Sequence, residues 1–481
     1  MSSSDGSATS REEDEDDASA ADSLCLVTSD EDDVPSLTSS SVAGSEDGSQ
    51  HGSDDEDQSA SAGAPRRHGP RECVPPEWVP RGWPAISRRV RWRILLPCAG
   101  ADAVTRALGE MNVPHVVVGA WEKDAQTAKI LTKWFANRSD RGSIHSGDAQ
   151  GDITCVKAQD VPDAEGLIAG PPCPPWSSSG KGLSWKDDRA QPSNVLFRWL
   201  RHLCRRKRPL RFFILENVRG ILGKRGVGYL VKLRAALPQD WNLAALVMDS
   251  RCCAQTRPRA YLVGWKASRT LSPSEATKVI RGKLLHLPRR HLSSILLDMP
   301  NEDPKEVLTA QQARNFRKWM RKVQSKLNDK RQKGVVACFE VDRNPDKSRG
   351  TLRTDDLMMT LRASGNPIWL VSLGEGRRGP SVSRLLALEE RCLLQGFDMS
   401  TMPDSVSARR VRHAMGNAMS VPVVGSVLGA TLLQLDEEER RRQRQESSEE
   451  GDSRSSADDS DSSADNSDSI DDSDSSADDS G

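Results

Sequence analysis

The segment Gly170-Pro171-Pro172-Cys173-Pro174-Pro175-Trp176-Ser177 holds one thiol between two pairs of prolines. Proline fixes φ and removes the backbone N–H, so the loop is stiff and presents Cys173 in one place. A thiol framed in this way suits nucleophilic attack; the alternative is an inert structural cysteine. Glu216-Asn217-Val218 closes the apolar run Phe212–Asn217, which reads as a strand, and so sets a carboxylate at a strand end. Gln255-Thr256-Arg257-Pro258-Arg259 opens another strand and, by the two-residue period, puts Arg257 and Arg259 on one face. Together these residues offer a nucleophile, a proton donor or acceptor, and cations to meet developing negative charge. Taken singly, a helix cap or surface ion pairs would account for the charged ones equally well.

Such residues can meet only if the chain between them brings strand ends to one edge. Strand patterns fall at Arg93–Pro97, His115–Trp121, Glu165–Ala169, Phe212–Asn217, Leu243–Asp249 and Ala260–Trp265. Between them, apolar residues three or four apart predict helices at Val104–Met111, Ala125–Asn137, Asn194–Lys207 and Gly228–Leu237. The alternation predicts an α/β fold, a doubly wound and mostly parallel sheet spanning 93–265, with ligands beyond the carboxyl ends of the strands. After Trp265 the rhythm breaks into a Lys- and Arg-rich region, 266–350. Its run Arg314 to Lys333 scans as a basic amphipathic helix with Phe316, Trp319, Val323 and Leu327 on one side, either an ordinary solvated helix or a DNA-facing surface. Residues 351–435 return to the main domain.

The formal net charge of −1 conceals a strong separation. Residues 1–64 carry 18 acidic side chains and 1 basic, and residues 446–481 carry 14 and 1, which leaves a middle of +29. Acidic, Ser-rich ends with few apolar residues cannot bury enough surface to offset chain entropy, so 1–64 and 436–481 are expected to be disordered. They could serve as solubilising bristles or as substrates of kinases that prefer acidic surroundings. A basic middle calls for a polyanionic partner, and nucleic acid is the first candidate. Residues 65–92, rich in Pro, Arg and Trp with Trp78 and Trp83, read as a linker that docks on the core. Ten cysteines without a Cys-x-x-Cys, and no apolar run of eighteen residues, point to no zinc site and to a reducing compartment. Basic clusters such as Arg205-Arg206-Lys207-Arg208 and Arg440-Arg441-Arg442 add the expectation of a nuclear location.

In this order, Pro-Pro-Cys, Glu-Asn-Val and Gln-x-Arg-x-Arg resemble the motifs of the cytosine C5 methyltransferases. Two further segments extend the resemblance to Leu433. Arg384 to Phe397 ends in Leu394-Gln395-Gly396-Phe397, and Gly416-Asn417-Ala418-Met419-Ser420-Val421-Pro422 is similar to the family's Gly-Asn-x-Val-x-x-Pro element. The resemblance implies a DNA methyltransferase using S-adenosylmethionine, with Cys173 attacking C6 of an extruded cytosine. Glu216 would bind N3 and the exocyclic amine, Arg259 the O2, and Arg257 would supply further positive charge.

For the cofactor the resemblance points to Cys98, Ala99 and Gly100 in the turn after the first strand, with Ile153, Pro171 and Asn417. Glu122 would accept from the ribose hydroxyls and Asp152 would hold the adenine amine; an acidic residue about twenty positions after the first turn is what ribose binding demands. Where the family has a Gly-Gly pair this chain has Asp102-Ala103, which adds a negative charge near the expected methionine end. RNA as substrate, and an inactive DNA-binding regulator, are the competing readings.

Overall fold

The protein is described here from a computed structural model covering residues 78–80, 91–136, 141–177, 183–330, 335–347, 351–372 and 382–458. The expected amino-terminal tail, Trp83 and residues 459–481 lie outside the described residues.

The apolar runs become β1 (Trp92–Pro97), β2 (His115–Glu122), β4 (Gly166–Ala169), β5 (Phe212–Val218), β6 (Trp241–Met248) and β7 (Arg259–Lys266). A further strand, β3 (Arg141–Ser146), has no counterpart among the predicted ones. They pair in the order β3-β2-β1-β4-β5-β7-β6, parallel from β3 to β5, with β7 antiparallel to both its neighbours. The helices between are α1 (Ala103–Glu110), α2 (Ala125–Phe135), α3 (Gln191–Leu203) and α4 (Val227–Ala236), and α5 (Pro273–Arg281) follows β7. Ser272 and Glu275 close a reciprocal capping box at the start of α5, ahead of Pro273 in its first turn.

Strand periodicity sorts the core into two layers. In β5, Phe212 and Ile214 join α1, α2 and α5 on one face, while Phe213 and Leu215 join α3 and α4 on the other. Both faces are covered, which is why the strand reads as a continuous apolar run rather than an alternating one. Each such fully buried side chain contributes about 1.5–3 kcal/mol. Helix α3 ends at Leu203, four residues before the predicted Lys207, and the chain turns through Arg205–Arg208 into Pro209.

Residues 310–385 build a second sheet from β8 (Val336–Glu340), β9 (Leu352–Arg353), β10 (Ile368–Ser372) and β11 (Val382–Leu385), in the order β11-β10-β8-β9. The basic amphipathic segment is α6 (Ala310–Lys330). It buries Trp319 and Val323 on this sheet, with Trp319 stacked 5.9 Å from Phe339, and leaves Arg314, Arg317 and Arg321 exposed. The Leu327 side chain lies outside the described residues. Three strands of the small sheet, β9, β10 and β11, fall within 351–435, the span expected to return to the main domain.

That return consists of α7 (Leu388–Leu393), α8 (Ala408–Asn417) and α9 (Val421–Asp458). Helix α9 passes position 436, the expected start of the carboxyl-terminal tail, and continues to Asp458. The stretch Ala408–Ser448 contains a window apolar enough to cross a membrane, but 89% of that window is buried inside the protein, against α1 and α5. Trp78 docks from the linker onto this layer: its Nε1 donates to Glu110 Oε2 at 2.7 Å, and its ring covers Gly425, where a Cβ would clash.

Candidate active site

Parallel pairing of β1, β2, β4 and β5 delivers Cys98, Glu122, Gly170 and Glu216 to one edge of the sheet. The order reverses at β1, between β2 and β4, which opens a crevice at that edge. Because β7 runs antiparallel to β5, with Arg259 opposite Val218, its amino end reaches the same edge. The result is a cavity of about 340 Å³ lined by Cys173, Glu216, Arg257 and Arg259 and, on its other side, by Gly100, Glu122, Asp152 and Asn417. Cys98, Ala99, Ile153 and Pro171 also line it, so every site residue singled out in the sequence borders one space.

The thiol is held from both directions. Trp176 N and Ser177 N donate to Cys173 O, each at 3.1 Å, and Trp176 is buried with ring centroids 5.5 Å from Trp185 and 5.0 Å from Tyr229. Asn217 Nδ2 donates to Pro171 O at 3.1 Å, tying the proline-rich loop to the end of β5. Glu216 is 8% exposed and its Oε1 lies 3.2 Å from Arg259 Nε. Burial pushes the Glu216 carboxyl up, opposed by the Arg259 and Arg257 charges. Burial also raises the Cys173 thiol; Arg259 works to lower it, and Glu216 adds to the rise. Its resting form at neutral pH is therefore the protonated thiol.

Arg257 departs from its expected place on a shared face with Arg259. It precedes β7, is 2% exposed, and turns into the carboxyl-terminal segments. Its Nη1 donates to Leu361 O at 2.7 Å, and its Nη2 to Gly416 O at 3.0 Å and Ala418 O at 2.9 Å. Burial, with the Arg259 charge second, pushes its guanidinium down to about 9. Arg257 thus staples the site's last lining segment to β7 and acts on the cavity mainly through position. Gln255 does similar work, donating from Nε2 to Leu394 O at 3.0 Å and accepting from Leu361 N at 3.2 Å. Arg257→Met should strand three buried carbonyls and lower stability by at least about 3 kcal/mol in chemical denaturation. A loss under about 1 kcal/mol would contradict the staple.

On the opposite side Glu122 accepts from Gly100 N at 2.8 Å and from Asp124 N at 2.9 Å, and burial raises its carboxyl. Burial works to raise Asp152 as well, but hydrogen bonds from Lys123 and Thr154 outweigh it and hold that carboxyl below its ordinary range. Cys98 and Gly100 both adopt positive φ, 54° and 58°, and a Cβ on Gly100 would meet nothing within 4 Å. Asn417 Nδ2 lies 3.2 Å from His413 Nε2. His413 and Met419 also line the cavity. Neither was singled out as a site residue, although Met419 stands inside the Gly-Asn motif.

Asp102 also borders this space, but its carboxylate is engaged rather than free. It takes φ 60°, the left-handed conformation a glycine would adopt freely, and caps α1 by accepting from Thr105 N at 2.9 Å. Its carboxylate is 1% exposed, flanked by Arg106 and His115, and burial raises its pKa.

A thiol, a carboxylate and an arginine thus converge beside a crevice at the edge of a doubly wound α/β sheet. The chain belongs to the C-5 cytosine-specific DNA methylase family, whose model matches residues 98–432. The Type II methyltransferase M.HaeII of Haemophilus aegyptius is 24% identical over 371 residues, covering 70% of this chain and 92% of that protein. M.NgoPII of Neisseria gonorrhoeae, also a Type II methyltransferase, is 31% identical over 149 residues, 28% of this chain. This chain spans only 39% of the length of M.NgoPII. Among solved structures, the S. pombe Dnmt2 methyltransferase aligns with a TM-score of 0.46 and 16% identity, covering 72% of this chain and 99% of that one.

Proposed function

We propose that the protein methylates C5 of cytosine in duplex DNA, with S-adenosylmethionine as donor and Cys173 as covalent nucleophile. The observation that carries this reading is the single cavity in which Cys173, Glu216 and Arg259 face Gly100, Glu122 and Asp152. The lining suits the cofactor. Two carboxylates stand ready for hydroxyl and amine donors, apolar Ile153 and Pro171 suit a purine face, and the open space at Gly100 admits close backbone approach. When bound, S-adenosylmethionine supplies an electrophilic methyl group.

The remaining work falls to the chain. Cytosine C5 is a weak nucleophile until C6 is attacked, and attack by the Cys173 sulfur makes the ring an enamine. Ionisation of that raised thiol is aided by Arg259 as the base enters. Glu216, whose protonated form burial favours, donates to N3 and accepts from the exocyclic amine, and Arg259 holds O2, so electron density moving onto the ring meets charge already in place. Loss of the C5 proton and departure of Cys173 then restore the ring. A stacked base cannot reach this thiol, so the nucleotide must rotate out at a cost of a few kcal/mol, offset by contacts to the basic surface.

Labelled methyl transfer from the cofactor to duplex DNA, run beside a transfer RNA pool, tests the proposal. Incorporation into DNA is expected; label in the RNA alone would move the substrate to RNA. Calorimetry with S-adenosylhomocysteine should show binding, since the Asp102 carboxylate is spent on the α1 cap; no binding at millimolar ligand would favour an inactive regulator.

The acidic ends enter as competitors of DNA for the basic middle, from their net charges of −17 for residues 1–64 and −13 for residues 446–481. Because α9 runs to Asp458, the informative truncation removes 1–64 and 459–481. It should tighten DNA binding at low salt and lose its effect at high salt; equal affinities at low salt would refute the competition.

A further inference from the structure

Beside the catalytic cavity lies a second one, of about 510 Å³, lined by Ala363, Ser364, Gly365, Arg409, Arg410, Arg412 and His413. His413 borders both. No motif of the family resemblance includes its arginines. Three guanidiniums and no carboxylate line this space, so its field is one-signed.

The walls are fixed to one another. Gly365 N donates to Arg362 O at 3.0 Å, closing a turn in which Gly365 takes φ 64°. Helix α8 presses on this turn at Gly416, where a Cβ would lie 2.3 Å from the Arg362 carbonyl carbon, so only glycine permits the approach. The contact of His413 Nδ1 with Ala363 O, at 3.1 Å, adds a second tie. Arg257, donating to both Leu361 O and Gly416 O, holds the same two segments from below. A rigid turn and a rigid helix therefore form opposite sides of a basic cleft.

The arginines differ in their engagement. Arg410 Nη1 lies 3.8 Å from Asp124 Oδ2 and is partly neutralised. Arg409 is exposed and Arg412 half-buried, and neither has an ion-pair partner among the described residues. Arg412 also crowds buried Arg391, whose guanidinium is pushed down to about 10 by burial first and by the Arg412 charge second. An anion in the cleft would relieve that repulsion. The space far exceeds one phosphate group, which favours a phosphodiester with its flanking sugars over a free ion.

We infer that Arg409 and Arg412, with the Ser364–Gly365 turn, form a clamp for a backbone phosphate of the duplex beside the extruded base. The inference rests on the proposed DNA substrate and assigns it a specific anchoring point. Phosphate contacts fix register and carry no sequence information, so the clamp would place the strand whichever bases surround the target. Its position next to the catalytic cavity would hold the strand while the nucleotide rotates into reach of Cys173.

The test is the salt dependence of binding to a labelled duplex, with S-adenosylhomocysteine present, for the full chain and for Arg409→Gln/Arg412→Gln. Each neutralised phosphate contributes about 0.9 to the slope of log K against log salt, so losing the clamped phosphate should make the slope shallower by about 0.9 and weaken binding roughly tenfold at ~0.1 M salt. S-adenosylhomocysteine affinity should stay unchanged, which separates a lost clamp from a damaged fold. Arg409→Lys/Arg412→Lys keeps the charge and should keep the slope. Arg208→Gln, in a cavity with Arg93 and Lys266 at the opposite edge of the sheet, serves as control and should also leave it unaltered. If the unaltered chain binds DNA and the glutamine variant has the same slope, the clamp is overturned alone. A lysine variant that loses as much slope as the glutamine one overturns it equally. If the unaltered chain binds no duplex, the proposed function falls and takes the clamp with it.

Discussion

Cys173→Ser should reduce methyl transfer by at least about 10⁴-fold while leaving S-adenosylhomocysteine binding within a factor of about two. Removing an enzyme's nucleophile costs rates of this order or more, because the remaining groups act on a reaction that no longer proceeds by the covalent route. The serine hydroxyl is nearly isosteric but far less acidic than a thiol, and the burial that already raises Cys173 would penalise an alkoxide more strongly. Arg259 cannot make up that difference while it also pairs with Glu216 at 3.2 Å. The decisive measurement is single-turnover transfer of labelled methyl to DNA, with trapping on a duplex carrying 5-fluorocytosine as a second readout: because the C5 fluorine cannot leave as a proton, a denaturant-stable protein–DNA adduct should form with the native chain and not with the variant. A serine variant retaining a tenth of the native rate would remove Cys173 from the chemistry, whatever the cavity's shape.

Part of this site is legible in the sequence and part is not. Cys173, Glu216 and Arg259 can be located because prolines and a strand terminus constrain them locally, through rules that need no tertiary knowledge. β3 is hidden because Arg141–Ser146 is polar; it is an edge strand next to β2, and its His145 gains its packing from a stack 4.9 Å from Trp121 across the pair. The direction of β7 is equally hidden, yet it is what carries Arg259 to the catalytic edge. A doubly wound pattern predicts crossovers, and nothing in the Leu243–Trp265 apolar runs distinguishes a crossover from the short antiparallel return through Ser250–Cys253. The role of Arg257 depends on carbonyls more than 100 positions away, at Leu361, Gly416 and Ala418, which no local period can reveal. Asp102 misleads for the opposite reason. Its charge is legible, but its burial and capping bond to Thr105 are not.

Glu216→Gln is expected to lower kcat by about 10²–10⁴-fold, the range for removal of a positioned acid or base, and to change the pH profile. The carboxyl is raised by burial, so its neutral form, the one able to donate to N3 of cytosine, persists above the ordinary glutamate range and is lost as pH climbs through the raised value. Cys173 demands the reverse, since its raised thiol supplies more thiolate as pH increases. The native enzyme should accordingly show a bell whose falling limb exists because Glu216 loses its proton, with the inflection set by the higher of the two pKa values. Glutamine carries no such proton, and the variant's limb should vanish, leaving a rate that rises with pH through the thiol alone. Stability supplies an independent check on the sign. A carboxyl whose folded pKa is raised contributes fully below its unfolded value near 4.3 and loses that contribution as pH rises through the folded one. Native stability should therefore decline relative to Glu216→Gln over that window. A native chain gaining on the variant as pH rises would mean that the 3.2 Å pair with Arg259 keeps Glu216 ionised, and its part in catalysis would then be to accept from the cytosine amine and not to donate to N3.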